Sequence, residues 1–254
     1  MTEDNGTGAP AGPEERDPFT PAETDGFIVR LTDLFRSPGR LMENVGRAPR
    51  WWAPGLLIFV VMIGFTWLVT PISAPEQLEL MRDSRLMQMM PEEEFQRQYE
   101  EALDIPPTTR LLQSLGAGFT TWILVIVFGF VLGFFARMSG GKVQFKQALG
   151  IIGWAAIPVF VVASLVKLPL IMQTESVYQV SIGLAALVRG GDPTAPLYQV
   201  LMTYGDFFTW WGLVLIIIGF ERVFGMGRGP AALSVILPWA LLSAIPLGFS
   251  LLFM

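Results

Sequence analysis

Apolar residues dominate five long stretches of this chain, at about Trp52–Ile72, Leu112–Ala136, Leu149–Leu170, Phe207–Phe220 and Ala231–Phe253. A helix needs about 20 apolar residues to cross the hydrocarbon of a bilayer, and each stretch comes near that length, although the fourth falls short. In lipid every backbone amide must be bonded within its own segment, so these stretches predict helices. The pattern therefore predicts an all-α integral membrane protein, with a five-transmembrane-helix bundle over residues 51–254.

The segments between the spans carry their own periodicities. In 26–50, Phe27, Ile28, Leu31, Leu34 and Phe35 recur at helical spacing, with Arg30, Asp33 and Arg36 between them. This predicts a short amphipathic helix, either flat on the membrane surface with its arginines near anionic lipid or packed on the bundle. Ser37-Pro38-Gly39 breaks it, and Leu41, Met42 and Val45 begin a second short turn before Pro49 and Pro54. The loop 73–110 predicts a helical hairpin: Leu78, Met81, Arg85 and Met89 stripe one helix, and Phe95, Tyr99 and Leu103 another. Pro91 followed by Glu92, Glu93 and Glu94 suits the start of the second helix, since Pro is tolerated in a first turn and acids favour the helix dipole.

Charge orients the bundle. Ten cationic residues (Arg30, Arg36, Arg40, Arg47 and Arg50 just before the first span, then Arg137, Lys142, Lys146, Arg222 and Arg228) fall on one side, and the acidic loop 73–110 falls on the other. By the positive-inside rule the N-terminus is cytoplasmic and, after five crossings, the C-terminus is extracytoplasmic. Trp51, Trp52, Trp67, Trp210 and Trp211 stand near span ends, where an apolar ring with a wet N–H is favoured. Residues 1–25 hold seven acids and one base, Arg16, with no apolar core of a secretory signal, and read as a disordered acidic tail.

Composition narrows the chemistry. The 254 residues are 52% hydrophobic and 15% charged, with neither Cys nor His. Disulfides, thiolate metal sites and histidine acid–base catalysis are thereby excluded. A net charge of −5 offers no basic face for nucleic acid. No catalytic signature or phosphate loop is present: Ser139-Gly140-Gly141-Lys142 lacks the required spacing, and Arg189-Gly190-Gly191-Asp192-Pro193 reads as a turn. The chain reads as non-enzymatic and without cofactor or metal.

An ionisable residue inside a span would be the first functional candidate. Only Lys167, near the outer end of the third span, and Asp206, opening the fourth, qualify. Asp206 suits a helix N-terminus and Lys167 can snorkel, or the two pair across helices. Gly129 and Gly133 form a GxxxG in the second span, and Ala240, Ala244 and Gly248 a small-residue run in the fifth, both suited to close helix packing. Pro158, Pro238 and Pro246 predict kinks in the third and fifth spans, where bent helices can shape a cavity.

A set of local motifs carries a resemblance. Leu34-Phe35-Arg36-Ser37-Pro38 is followed by a short helix and by Pro49-Arg50-Trp51-Trp52. The turn Gly140-Gly141-Lys142-Val143-Gln144-Phe145-Lys146-Gln147-Ala148-Leu149 leads to Gly153-Trp154-Ala155-Ala156-Ile157-Pro158, and Asp206-Phe207-Phe208-Thr209-Trp210-Trp211 precedes Gly219. From about Phe27 to Met254 the chain resembles the bacterial branch of the Yip (Ypt-interacting protein) domain family, with Phe35, Ser37, Pro38, Gly140, Gly141 and Phe145 as motif positions. The resemblance implies a five-helix protein with a cytosolic N-terminus. Relatives in eukaryotes bind Rab-type GTPases, but the Asp-Leu-Tyr-Gly-Pro segment of that branch is missing here, so GTPase binding is not implied. Bacterial relatives are associated with export-type ABC transporters.

Together these readings favour a membrane scaffold or accessory protein of a bacterial inner membrane, associating with itself or with such a transporter. The competing reading is a conduit for lipid or a small solute, bordered by Lys167, Asp206, Pro158, Pro238 and Pro246.

Overall fold

The structure, a computed structural model, describes residues 25–82, 89–188 and 195–253. Its regular elements are helices: α1 (Phe27–Arg36), α2 (Pro38–Arg47), α3 (Trp52–Met81), α4 (Glu92–Leu103), α5 (Pro107–Met138), α6 (Phe145–Ala156), α7 (Ala163–Thr174), α8 (Pro196–Tyr204), α9 (Phe207–Phe224) and α10 (Arg228–Phe253). A π-helical stretch, Ile157–Val162, joins α6 to α7, so Phe145–Thr174 forms one span. Five helices are long and apolar enough to cross a bilayer: α3, α5, α6 through α7, α9 and α10. The five-span all-α architecture expected from the hydrophobic pattern is the one observed. The acidic tail 1–24, Arg85 and the glycine turn 189–193 lie outside the described residues.

The first span departs from its expected end at Ile72. Pro71 and Pro75 both lie inside α3, which continues to Met81. Pro71 has no N–H to give the Trp67 carbonyl. Arg110 of α5 supplies the missing donor through Nε, with its guanidinium 4.5 Å from the Trp67 ring centre. The helix therefore survives its prolines, and Leu78 and Met81 belong to its extension rather than to a separate hairpin helix. The α4 helix packs on that extension: Phe95 is buried, Arg82 lies 5.2 Å over its ring, and the Tyr99 hydroxyl donates to Glu79 at 2.7 Å. Ala102 is buried on this helix while Leu103 is exposed, so the inner face is rotated by about one residue from the expected Phe95–Tyr99–Leu103 line. The α8 helix, between Pro196 and Gly205, was not anticipated from the sequence.

Packing between spans is set by small residues, as expected where lipid tails leave no hydrophobic force between helices. A side chain at Gly129 would place its Cβ 2.5 Å from Leu149 Cδ2, and one at Gly133 3.3 Å from Ala148 Cβ. The GxxxG motif of α5 thus seats α6 within the same chain. Between the two helices, α5 ends in a Schellman turn: Gly141 N–H donates to Ala136 O at 2.9 Å and Gly140 N–H to Arg137 O at 3.1 Å. Gly140 has φ +88°, a left-handed conformation that a Cβ would strain.

The N-terminal helices occupy an unexpected depth. Trp51 stacks on Trp122 at 5.8 Å, so α3 starts level with the middle of α5. Residues 123–138 of α5 then run on past that start by roughly 24 Å at 1.5 Å per residue. The hairpin α1–α2 packs on α6 and α9. Leu41, Met42 and Val45 are fully buried, and Gly46 packs against Val223 of α9. Phe27 meets Trp154 of α6 and Phe35 meets Trp211 of α9, each at 5.3 Å between ring centres.

Of the two placements expected for α1, packing on the bundle is the one observed, with Arg30 and Asp33 turned inward and Arg36 exposed. Arg30 is 1% exposed, Nη1 donating to Ala48 O at 2.9 Å and Nη2 to Asn44 O at 3.4 Å. These carbonyls belong to the last turn and cap of α2, where a cation also meets the negative end of the dipole. Burial and the neighbouring Arg50 lower the Arg30 pKa, although a guanidinium stays charged at any physiological pH. Asp33, also buried, accepts from Arg40 Nε at 2.8 Å. The outer face carries Ile28 and Phe35, which are apolar and exposed.

The α5–α6 contact predicts the effect of adding a side chain. Gly129→Val should lower stability by about 1–3 kcal/mol, the usual cost of overpacking. Gly116→Val, where a Cβ meets open space, should leave it unchanged. Thermal unfolding in detergent, followed by circular dichroism, compares the two.

Candidate functional site

The candidate residues converge on the region enclosed by α5, the α6–π stretch, α9 and α10. Pro158 starts the conversion from α to π geometry. It cannot donate an amide, and the ladder re-forms one residue longer, Ala163 N–H bonding to Pro158 O. Pro158 itself is buried. Directly after it, Val159 packs under α9 at Gly212, where a Cβ would lie 2.7 Å from Val159 Cγ2.

The amino end of α9 holds the charged pair. Asp206 is the N-cap, its Oδ1 accepting the Thr209 N–H at 2.8 Å. Its Oδ2 receives the Lys167 ammonium at 3.3 Å, with side-chain exposures of 28% for Lys167 and 16% for Asp206. Capping and cross-helix pairing, alternatives in the sequence, occur together. The same end is tied to the loop before it, with Phe207 N–H bonded to Ile182 O and an isolated antiparallel bridge from Gly183 to Asp206.

Between these features lies a cavity of about 230 Å³, lined by Leu124, Phe128, Val159, Phe160, Leu213 and Trp239 among others. Thr209, one turn into α9 from Asp206, lines its edge. Trp239 is the residue after Pro238, and both are buried. The Trp239 ring is held edge-on by Tyr204 and Trp210, each at 5.3 Å, with the Tyr204 hydroxyl donating to Ala240 O. None of Pro158, Pro238, Lys167 and Asp206 is among the residues that line this cavity; Pro158 and Pro238 each precede one that does, and the Lys167–Asp206 pair stands one turn of α9 from Thr209. Pro246 lies farther along α10, which continues through both prolines without interruption.

Of the family-motif positions, Gly140, Gly141 and Phe145 are placed elsewhere, at the turn between α5 and α6, whereas Phe35 reaches the amino-terminal turns of α9. Gly140 and Gly141 form the turn after α5, and the Phe145 ring stacks on Phe130 at 3.9 Å. Gln147 Nε2 donates to Gly46 O at 2.8 Å and ties α6 to α2. Phe35 meets Trp211, while Ser37 and Pro38 form the break between α1 and α2. Sequence reading missed Gln147 as a bridge and Gly212 as the seat of Val159. A lone polar residue in a motif and a glycine inside an aromatic run are the signals that pointed to them.

The chemistry available is limited. Among the described residues no three His, Cys, Asp or Glu side chains gather as a metal site. The cavity walls are apolar, and the charged pair is neutralised by mutual contact and by the helix end. The arrangement is suited to holding hydrocarbon and packing helices.

The double role of Asp206 makes a ranked prediction. Asp206→Ala removes the cap and the pair and should cost at least the about 1 kcal/mol typical of N-cap loss. Lys167→Met should cost less, because the cap on Thr209 remains. Thermal unfolding of both variants and the double variant checks the order, and the double should be no less stable than Asp206→Ala alone, since Lys167→Met removes the ammonium left without its partner.

No curated protein and no solved structure matches the chain. A family model does: that of the Yip1 domain, matched over residues 32–249. The match covers α2 through most of α10 and includes the Schellman turn, the π stretch and the capped start of α9. With most of its length inside that match and five membrane-spanning helices, the chain is a multi-pass membrane protein that belongs to the Yip1 domain family.

Proposed function

We propose that the protein is a non-enzymatic scaffold or accessory protein of a bacterial inner membrane, working through helix–helix association with a second copy or with an ABC-type exporter. The observation that carries this reading is the division of its small residues. Gly129 and Gly133 are consumed within the fold, whereas on α10 Ala244 is exposed and a Cβ at Gly248 meets open space. Small residues left uncovered on a span allow another helix to approach closely in lipid. The absence of His and Cys and the self-neutralised Lys167–Asp206 pair leave little for catalysis.

A second reading, a conduit for lipid or a small solute, draws on the cavity beside Pro158 and Trp239. Its apolar walls offer few partners for a polar solute, so within this reading lipid is the better cargo. Loss of transport by reconstituted vesicles on Asp206→Asn and Lys167→Met substitution would favour it over the scaffold.

The orientation that goes with the scaffold reading has a cytoplasmic N-terminus and an extracytoplasmic C-terminus, drawn from the cationic loops. A chain without cysteine permits clean single-site labelling. In spheroplasts, Thr109→Cys should react with a membrane-impermeant maleimide and Ser139→Cys should react only after lysis.

The association itself is tested by crosslinking an Ala244→Cys variant in native membranes, then identifying adducts by mass spectrometry. A discrete dimer or a transporter adduct, lost when Gly248→Leu is added, is the expected result. Free monomer alone would reject the α10 face as the interface.

A further inference from the structure

We infer that the cavity between α5, the π stretch, α9 and α10 is a binding site for one acyl chain of a membrane phospholipid, drawn from the leaflet bordered by Lys167 and Asp206. The inference rests on neither reading of the protein's role. Three observations carry it.

The first is size and chemistry. At about 230 Å³ the cavity exceeds the roughly 150 Å³ apolar void that accepts a benzene molecule. The Thr209 hydroxyl and the Trp239 indole N–H are the only polar side-chain groups among its lining residues. Water needs two to four polar partners to reside in a cavity, and the side chains of these walls offer at most the lower number. An apolar chain makes the dispersion contacts that an empty space forfeits.

The second is continuity with lipid. Leu124, on the α5 rim, is 44% exposed and continues a ridge of exposed Ile123, Val127 and Phe130 on the outside of the bundle. The innermost walls, Ile152 and Leu213, are nearly inaccessible from outside, at 4% and 5%. The space is therefore a recess reached from the lipid-facing surface, and the molecule nearest its opening is an acyl chain.

The third is depth. The cavity follows α9 from Thr209 to Ile216, roughly 10 Å along the axis. It starts one turn below Asp206, where the ion pair marks the polar boundary. A chain descending from that boundary enters at its natural depth. The π stretch helps make the room, because its extra residue per turn displaces Val159 and Phe160 from the positions an α-helix would give them.

The test uses the full chain in nanodiscs containing a phospholipid with a diazirine on its acyl chain. After irradiation, adducts are mapped by peptide mass spectrometry. The expected map has adducts on Leu213, Val159 or Phe160 as well as on the exterior ridge at Ile123 and Phe130. Adducts restricted to the exterior ridge overturn the site. Ala156→Leu, which adds volume to the cavity wall, should reduce the interior adducts to background and leave those at Ile123 unchanged. Interior adducts that persist in a variant with native melting overturn the assignment to this cavity, and if that variant does not fold, the wild-type map decides.

Discussion

The close approach of α5 and α6 at Gly129 and Leu149 is the contact on which the rest of the bundle is assembled. In water, apolar helices are driven together by the solvent, but in lipid the tails solvate leucine as well as another helix does. Cohesion then depends on how closely backbones can lie, and so on where side chains are missing. The Schellman turn at Gly140 and Gly141 returns the chain at once, so that Ala148 and Leu149 meet Gly133 and Gly129 in register. From α6 the same principle passes outward: Gly150 admits Val45 of α2, and Gly219 of α9 admits Ile151. Remove the first contact and the surfaces that receive α2 and α9 lose their spacing.

Polar groups within this frame are satisfied locally. Arg30 closes the end of α2, Asp33 takes Arg40, Asp206 takes both Thr209 N–H and Lys167, and Arg110 replaces the donor that Pro71 lacks. Among the described residues, Arg30 Nε and Trp154 Nε1 are buried without a partner. Charges in such a setting are retained because removing one member of a pair costs more than the pair contributes.

The existence and type of the spans were legible in the sequence because membrane thickness imposes a length and lipid imposes a helix. Span ends were less so. The end expected at Ile72 failed because the remedy for Pro71 lies 39 residues away at Arg110, which no local pattern reveals. For the candidate site, Lys167, Asp206, Pro158 and Pro238 were readable as exceptions in apolar surroundings. The cavity near them was not, since it depends on Val159 passing over Gly212 and Trp239 being held by Tyr204 and Trp210. The inward turn of Arg30 was hidden for a related reason. Periodicity separates two faces of a helix, and here Arg30 found its acceptors on α2 while Leu34 entered the core and Ile28 was left exposed.

The position of the α1–α2 hairpin has a consequence for how the protein is made. It leaves the ribosome before any of the five spans, yet it packs against Gly150 and Trp154 of α6 and Gly219 and Val223 of α9. At 5–20 residues per second, the last of these follows the hairpin by roughly 10–35 s. Through that interval the hairpin has no seat. The bonds of Arg30 to Asn44 and Ala48, and of Arg40 to Asp33, are internal to it, so its two buried charges are already matched while it waits, whereas Glu43 pairs only when Arg222 of α9 arrives. Such a unit can rest at the membrane surface and dock last, which makes the α1–α2 hairpin the closing piece of assembly.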